Sequence, residues 1–429
     1  MLSFGFRATR QPHILVMEKN VIRHQIETVY RHEARRIFAT LLRLLGDFDA
    51  AEEALQEAFK AAAQHWPEDG LPDNPRAWLI SAGRFKAIDR IRREARLNSA
   101  KEWLQAQWEE KEPASAENDE AIEDDRLRLI FTCCHPALAA ESRIALTLRE
   151  VCGLTTEAIA NAFLIPSATL AQRIVRGKAK IRSAGIPYEI PSLDELPERL
   201  DSVLAVVYLI FNEGYHASSG NALTRPDLSQ EAIRLGRLLL DLLPDSEVIG
   251  LLALMLLHES RRTARTTADG DIILLEHQDR SLWDRELIAE AGTLLRRAFA
   301  SGQIGSYTIE AAIAGLHAEA AGTADTDWNG IVFYYDMLLT AAPSPVVELN
   351  RAVAVAMRDG PETGLGLIEA IFGRGDLVHY PLAHAAYADL CRRLGRKQQA
   401  RLSYQKALEF SVQEPAQKFL RLRLEQLND

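Results

Sequence analysis

The stretch Leu148-Arg-Glu-Val-Cys-Gly-Leu-Thr-Thr-Glu-Ala-Ile-Ala-Asn-Ala-Phe-Leu-Ile-Pro-Ser-Ala-Thr-Leu-Ala-Gln-Arg-Ile-Val-Arg-Gly-Lys178 decides how the chain is read. Gly153 ends one helix, and Thr155 or Thr156 offers a hydroxyl to cap the next. Ala158, Ile159 and Ala162 form its buried side, and small Ala160 suits a close helix crossing. Leu164-Ile-Pro166 makes a turn. Ser167 then starts a last helix whose Leu170 and Ile174 point inward, four residues apart. This spacing predicts a helix-turn-helix, whose second helix enters the DNA major groove. Its outward positions are Thr169, Gln172, Arg173 and Arg176. Gln pairs with adenine and Arg with guanine through two hydrogen bonds each, so these side chains suit base reading.

Upstream, Ile37, Leu41, Leu44 and Leu45 recur at helical spacing until Gly46-Asp47 closes the helix. Ala51–His65 reads as a second helix, with Ala54, Leu55, Ala58 and Phe59 on one face. Pro67 to Pro75 reads as a loop, and Arg76 to Arg96 as a third helix. Pro75–Lys101 carries net charge +6 against an apolar back that includes Trp78, Leu79 and Ile91. A basic face of this kind displaces counterions from a nucleic-acid backbone. A solvated charged face gives the same pattern.

The 429 residues carry net charge −10, unevenly spread. Residues 1–101 are net +4, 102–125 net −9, 126–185 net +6 and 186–429 net −11. That suggests two nucleic-acid-facing modules joined by an acidic linker and followed by an acidic half. Apolar residues make up 47% and charged residues 26%, which fits a globular protein. No convincing strand alternation appears, and Ile272–Leu275 is a lone apolar run that suits a strand or a helix start. The expected class is all-α.

No apolar run approaches the ~20 residues of a membrane helix, and Val248–His258 is too short. The residues before Met17 hold too little apolar sequence for a secretory signal, and a start at Met17 is an equal reading. Cys133, Cys134 and His135 suggest a metal site but lack further ligands, so buried thiols are the preferred reading. His258-Glu259 lacks the second His of a metalloprotease, with Arg262 in its place. No nucleophile–base pair or complete ligand set emerges. The expectation is no catalytic residue, no metal and no cofactor, in a reducing cytoplasm.

Two blocks in order give a resemblance. Leu42-Arg-Leu-Leu-Gly-Asp-Phe-Asp-Ala-Ala-Glu-Glu-Ala-Leu-Gln-Glu-Ala-Phe59 and Trp78-Leu-Ile-Ser-Ala-Gly-Arg-Phe-Lys-Ala-Ile-Asp-Arg-Ile-Arg-Arg93 resemble region 2 of the extracytoplasmic-function sigma factors of bacterial RNA polymerase. The helix-turn-helix resembles their region 4. Phe131-Thr-Cys-Cys-His-Pro-Ala-Leu138, Phe163-Leu-Ile-Pro166, Gly185-Ile-Pro-Tyr188, Phe211-Asn-Glu-Gly-Tyr215 and Asp279-Arg-Ser-Leu-Trp-Asp284 are similar to the subgroup with a long C-terminal extension of tetratricopeptide-like repeats. Ala388, Gly395, Ala400, Tyr404 and Ala407 follow that repeat's spacing, with a degenerate copy around Gly360, Leu365 and Phe372.

The resemblance implies a sigma factor without catalysis of its own, whose partners are core RNA polymerase and promoter DNA. It implies region 2 over 17–101, a linker over 102–125, region 4 over 126–185, a family-specific helical domain over 186–290 and repeats over 291–429. Glu52, Glu53, Gln56 and Glu57 would face polymerase. Arg84, Lys86, Arg90, Arg92 and Arg93 would contact the −10 element. Thr169, Gln172, Arg173 and Arg176 would read the −35 element. Phe85 stands where the family often has Asn, and Trp78 is a core residue or a base platform. The acidic extension is expected to dock on the basic modules and control access to them. Two other readings remain: a helix-turn-helix regulator that never engages polymerase, and a repeat-type scaffold.

Overall fold

The computed structural model describes residues 12–97, 119–163, 165–215, 224–267 and 270–427, and among them every regular element is helical. Expected all-α architecture is what the chain adopts. It divides into two compact units, residues 1–159 with 167–203 and residues 160–166 with 204–429.

In the first unit, α1 (Pro12–Leu45), α2 (Phe48–Asp69) and α3 (Pro75–Leu97) pack on one another. Ile37, Phe38, Leu41, Leu55, Ala58, Leu79 and Ile80 are buried between them, at the spacing that the sequence periodicity predicts. The break between α1 and α2 has two causes. Gly46 takes φ +70°, which stops α1. Asp47 then accepts the N–H groups of Asp49 and Ala50 at 3.0 and 2.9 Å and caps α2. α2 runs past Pro67, so the expected 67–75 loop shortens to residues 70–74.

The end of the expected 102–125 linker is helical. Residues 102–118 lie outside the described residues, but α4 (Asp119–Cys133) is already helical and packs on α1. α5 (Ala140–Leu146) continues as a π-helical turn, Thr147–Val151, and stops before Gly153 at φ +80°. α6 (Thr156–Ala162) is capped as expected, the Ala158 N–H donating to Thr155 Oγ1 at 3.1 Å. α7 (Ser167–Ser183) buries Leu170, Ile174, Gly177 and Ile181. A Cβ at Gly177 would meet Leu146 Cδ1 at 2.7 Å, so glycine lets α7 lie this close to α5 without displacing the Leu146 side chain.

The first unit also extends beyond Gly185, where the sequence placed the start of the next domain. Tyr188 donates to the carbonyls of Ala39 and Asp125 at 3.0 and 2.8 Å. Arg199 donates to the Phe131 carbonyl at 2.9 Å, and Ser202 Oγ to the Cys134 carbonyl at 2.6 Å. Residues 186–203 therefore pack with the sequence they follow. Their boundary with the second unit falls within α8 (Leu196–Tyr215).

In the second unit α9 (Pro226–Leu242) packs on α10 (Ser246–Ser260), which is apolar all round and buried from Val248 to Leu257. This is the chain's most hydrophobic run, and it serves as a core helix. α11 (Arg285–Ala300) and α12 (Ser306–Glu319) pack against it. α13 (Trp328–Ala341), α14 (Pro345–Asp359), α15 (Pro361–Gly373), α16 (Pro381–Arg393), α17 (Lys397–Phe410) and α18 (Glu414–Glu425) then follow, each against its predecessor. Such nearest-neighbour stacking is the architecture of helical repeats. Ala388, Ala400, Tyr404 and Ala407 fill the α16/α17 interface, and Leu365 fills the corresponding place in the earlier pair. The run Ile272–Leu275 forms neither a strand nor an α-helix. Ile272 makes one antiparallel bridge to Thr266, and a 3-10 turn begins at Leu275. Among the described residues no helix is long and apolar enough to cross a membrane.

Candidate nucleic-acid and polymerase interface

Helix α7 has two unlike faces. Gln172 and Arg176 are exposed and Thr169 and Arg173 half-buried, on the side away from Leu170, Ile174 and Gly177. Ser142 Oγ donates to the Arg173 carbonyl at 3.4 Å, but among the described residues no partner takes the side chains of Gln172, Arg173 or Arg176. The structure thus leaves the expected readout residues together on one helix face, with their donors unspent.

The rest of the α7 charge is already used. Lys178 lies 3.2 Å from Glu150, 3.3 Å from Asp49 and 3.8 Å from Glu52. Arg182 pairs with Asp47 at 2.8 Å, and Arg149 donates to Glu52 at 2.8 Å. These bonds tie the helix-turn-helix segment to the start of α2. Glu150 is fully buried, and burial pushes its carboxyl up against the opposing pull of Lys178. For Lys178 burial acts downward, yet Glu150, Asp49 and Glu52 outweigh it and hold the ammonium above its usual value. The sequence counted Lys178, Arg182 and Arg149 as free basic charge, since a charge count carries no pairing.

The four expected polymerase-facing residues are divided accordingly. Glu52 is half-buried beneath Arg149 and Lys178, while Glu53 and Gln56 are exposed. Glu57 pairs with Lys60 at 3.2 Å. Glu53 and Glu57 line a groove between α2 and α3 whose other wall holds Lys86 and Asp89.

On α3, Lys86 is exposed and Arg84 half-buried. Arg90, Arg92 and Arg93 fall on the same helix, but their side chains lie outside the described residues. Trp78 is half-buried and packs edge-on against buried Trp66, with ring centroids 5.5 Å apart. Phe85 differs: it is 69% exposed, beside Lys86. Sequence reading saw Phe85 only as a departure from the family. Its exposure is the signal that was missing.

Cys133 at the end of α4 and Cys134 just after it are buried thiols. Cys134 Sγ lies 3.3 Å from Thr147 Oγ1, and burial pushes this thiol up to about 11. Asp125, also on α4, is fully buried between Arg43 at 2.8 Å and Arg128 at 2.7 Å. Together with the Tyr188 bond to its carbonyl, this fixes α4 to α1.

The comparisons with known proteins follow the same divisions. Residues 29–97 match the model of sigma-70 region 2, and residues 128–181 that of sigma-70 region 4. Residues 383–411 match a tetratricopeptide repeat. Over 391 residues the chain is 44% identical to an uncharacterized protein of Rhizobium meliloti (strain 1021), covering 90% of this chain and 92% of the relative. The chain belongs to the extracytoplasmic-function sigma factors with a C-terminal extension. In this sigma factor, residues 199–299 of the extension match a family of unknown function, DUF6596. No solved structure matches the chain. A sigma factor lends promoter recognition to core RNA polymerase and does no chemistry itself. The plain regulator leaves the region 2 match unexplained, and the scaffold leaves both sigma matches unexplained.

Proposed function

We propose that the sigma factor reads the −35 element with Thr169, Gln172, Arg173 and Arg176 of α7. The observation that carries this is the face of α7 just described, where Gln172 and Arg176 are exposed and unspent above a buried Leu170–Ile174–Gly177 side. Base-edge readout needs such donors, free of protein partners. Region 2 contacts the −10 element through α3, with Arg84, Lys86, Arg90, Arg92 and Arg93 toward phosphate. Phe85 serves as a stacking platform for an unpaired base, since single strands are held by aromatic faces with cations nearby.

Glu52, Glu53, Gln56 and Glu57 dock on core polymerase. Glu53 and Gln56 are exposed, whereas Glu52 must exchange Arg149 and Lys178 for a basic polymerase surface. The net −11 extension governs that exchange and stands in for a separate inhibitor. Titration of labelled core polymerase with the full chain tests the reading. Saturable binding that Glu53→Lys together with Gln56→Lys weakens supports it. Absence of binding by the full chain and by a fragment ending at Tyr215 refutes it and returns the regulator without polymerase.

A further inference from the structure

The extension holds a cavity of about 380 Å³, walled by α10, α12, α13, the start of α14 and the loop around Leu275 and Trp283. Small-molecule sites span about 300–1,000 Å³. Much of the wall is aliphatic, with Leu254, Leu257, Ile313, Leu338, Val346 and Val347.

The rest of the wall is polar, with Tyr208, Tyr335 and Asn350 beside Glu310 and two imidazoles. Glu310 accepts a hydrogen bond from Tyr208, but burial dominates and pushes the carboxyl up to about 7, with Glu247 adding to the rise. Burial, helped by Arg261 and Arg280, holds His317 down at about 4. Burial, then Arg261, Arg265 and His317, holds His258 well below its usual value. Both imidazoles are therefore uncharged at neutral pH.

Two donors stand out. Trp283 is 3% exposed, and its Nε1 has no hydrogen-bond partner. A buried donor left without a partner is costly, so an acceptor at this position is favourable. Arg261 bonds to the neutral His258 Nδ1 at 3.2 Å and lies 5.8 Å from the Tyr215 ring centroid. Among the described residues no carboxylate pairs with it. A lone guanidinium on an apolar wall lacks its natural partner, and carboxylates meet it through paired hydrogen bonds.

We infer that this cavity binds a small organic monocarboxylate, whose head is taken by Arg261 and Trp283 and whose apolar body lies along Leu254, Ile313 and Leu338. A polyanion does not fit, because Arg261 is the one cation among the lining residues. An amine would have to sit beside that cation. The sequence motifs around Phe211–Tyr215 and Asp279–Asp284 thereby gain a common purpose: Tyr215 supports Arg261, and Trp283 forms the wall.

The test uses the full chain, thermal denaturation and intrinsic tryptophan emission. The probes are monocarboxylates from butyrate to decanoate, with phenylacetate and phenylbutyrate. Phenylacetamide and phenethylamine serve as neutral and cationic controls. At least one carboxylate binds saturably, raises Tm and alters emission, and the amide and amine do not match it. Arg261→Gln, which keeps a donor for His258, weakens binding about tenfold or more. Trp283→Phe weakens it by a smaller factor. Circular dichroism melting shows whether each variant folds. No saturable binding by any carboxylate overturns the inference, as does a preference for amide or amine. Undiminished binding by folded Arg261→Gln overturns it too. None of these readouts involves polymerase or DNA, so they stand or fall apart from the promoter reading.

Discussion

Arg149 donates to Glu52 at 2.8 Å across 97 residues of chain. The cation belongs to the turn before the helix-turn-helix and the carboxylate to the second helix of region 2. Lys178 reaches the same carboxylate from the recognition helix. One acidic group expected to face polymerase is thus held by two cations of the helix-turn-helix segment.

These pairs are part-exposed, so each contributes only about 0–1 kcal/mol. Arg149→Ala should therefore raise the affinity for core polymerase by up to about fivefold, read by titration of labelled core, with Lys178 kept because it also pairs with buried Glu150. Weaker binding would mean that Arg149 itself contacts polymerase.

Replacing Arg176 or Gln172 by Ala should cost about 1–3 kcal/mol on the preferred −35 sequence and much less on a scrambled one. Competition binding of the holoenzyme to the two duplexes separates them. Equal losses on both would make the residue a phosphate contact.

Phe85→Ala should weaken capture of a single-stranded −10 segment by about 1–3 kcal/mol, the worth of one stacked base. Phe85→Trp should restore it. Anisotropy with a fork-junction template reads both, and an unchanged Phe85→Ala would assign Phe85 no stacking role.

Asp125→Ala leaves Arg43 and Arg128 without their buried carboxylate. Loss of one partner of a buried pair costs about 3–5 kcal/mol. Urea denaturation should show a loss of that size. A cut after Gly185 removes the Tyr188, Arg199 and Ser202 bonds and should destabilise the sigma unit, whereas a cut after Tyr215 keeps them.

Glu310 has a pH signature. Its carboxyl rises from 4.5 to about 7 on folding, so between these values the folded state holds a proton that the unfolded state has lost. Stability from this group is therefore full below pH 4.5 and falls as pH rises toward about 7, by about 3 kcal/mol at most. His317, held at about 4, acts in the opposite sense below pH 6.5. Glu310→Gln isolates the carboxyl: the Tm difference between variant and native chain should grow from pH 5 to pH 8. A flat difference would contradict the burial of Glu310.

Much of this was legible because local signals and burial agree. Gly46-Asp47, Thr155 and Gly153 each mark a helix end through a left-handed backbone or a side-chain cap, and each does so in the fold. Leu170 and Ile174 face inward because period and packing coincide. What sequence hid were long-range pairings. Nothing local links Arg149 to Glu52, Tyr188 to Ala39 or Arg43 to Asp125, so free charge was overcounted and the sigma unit was ended too early. Exposure was also hidden: Trp78 and Phe85 are seven residues apart on one helix, and only packing decides that the first is half-buried against Trp66 and the second open.

The most direct test of the account is in vitro transcription with purified core polymerase on genomic fragments, mapping the 5′ ends of the products. New starts that share two spaced upstream elements should appear with the full chain or with a fragment ending at Tyr215, and be lost with Gln172→Ala and Arg176→Ala together. If neither form produces new starts although each binds core polymerase, promoter recognition by α3 and α7 is contradicted.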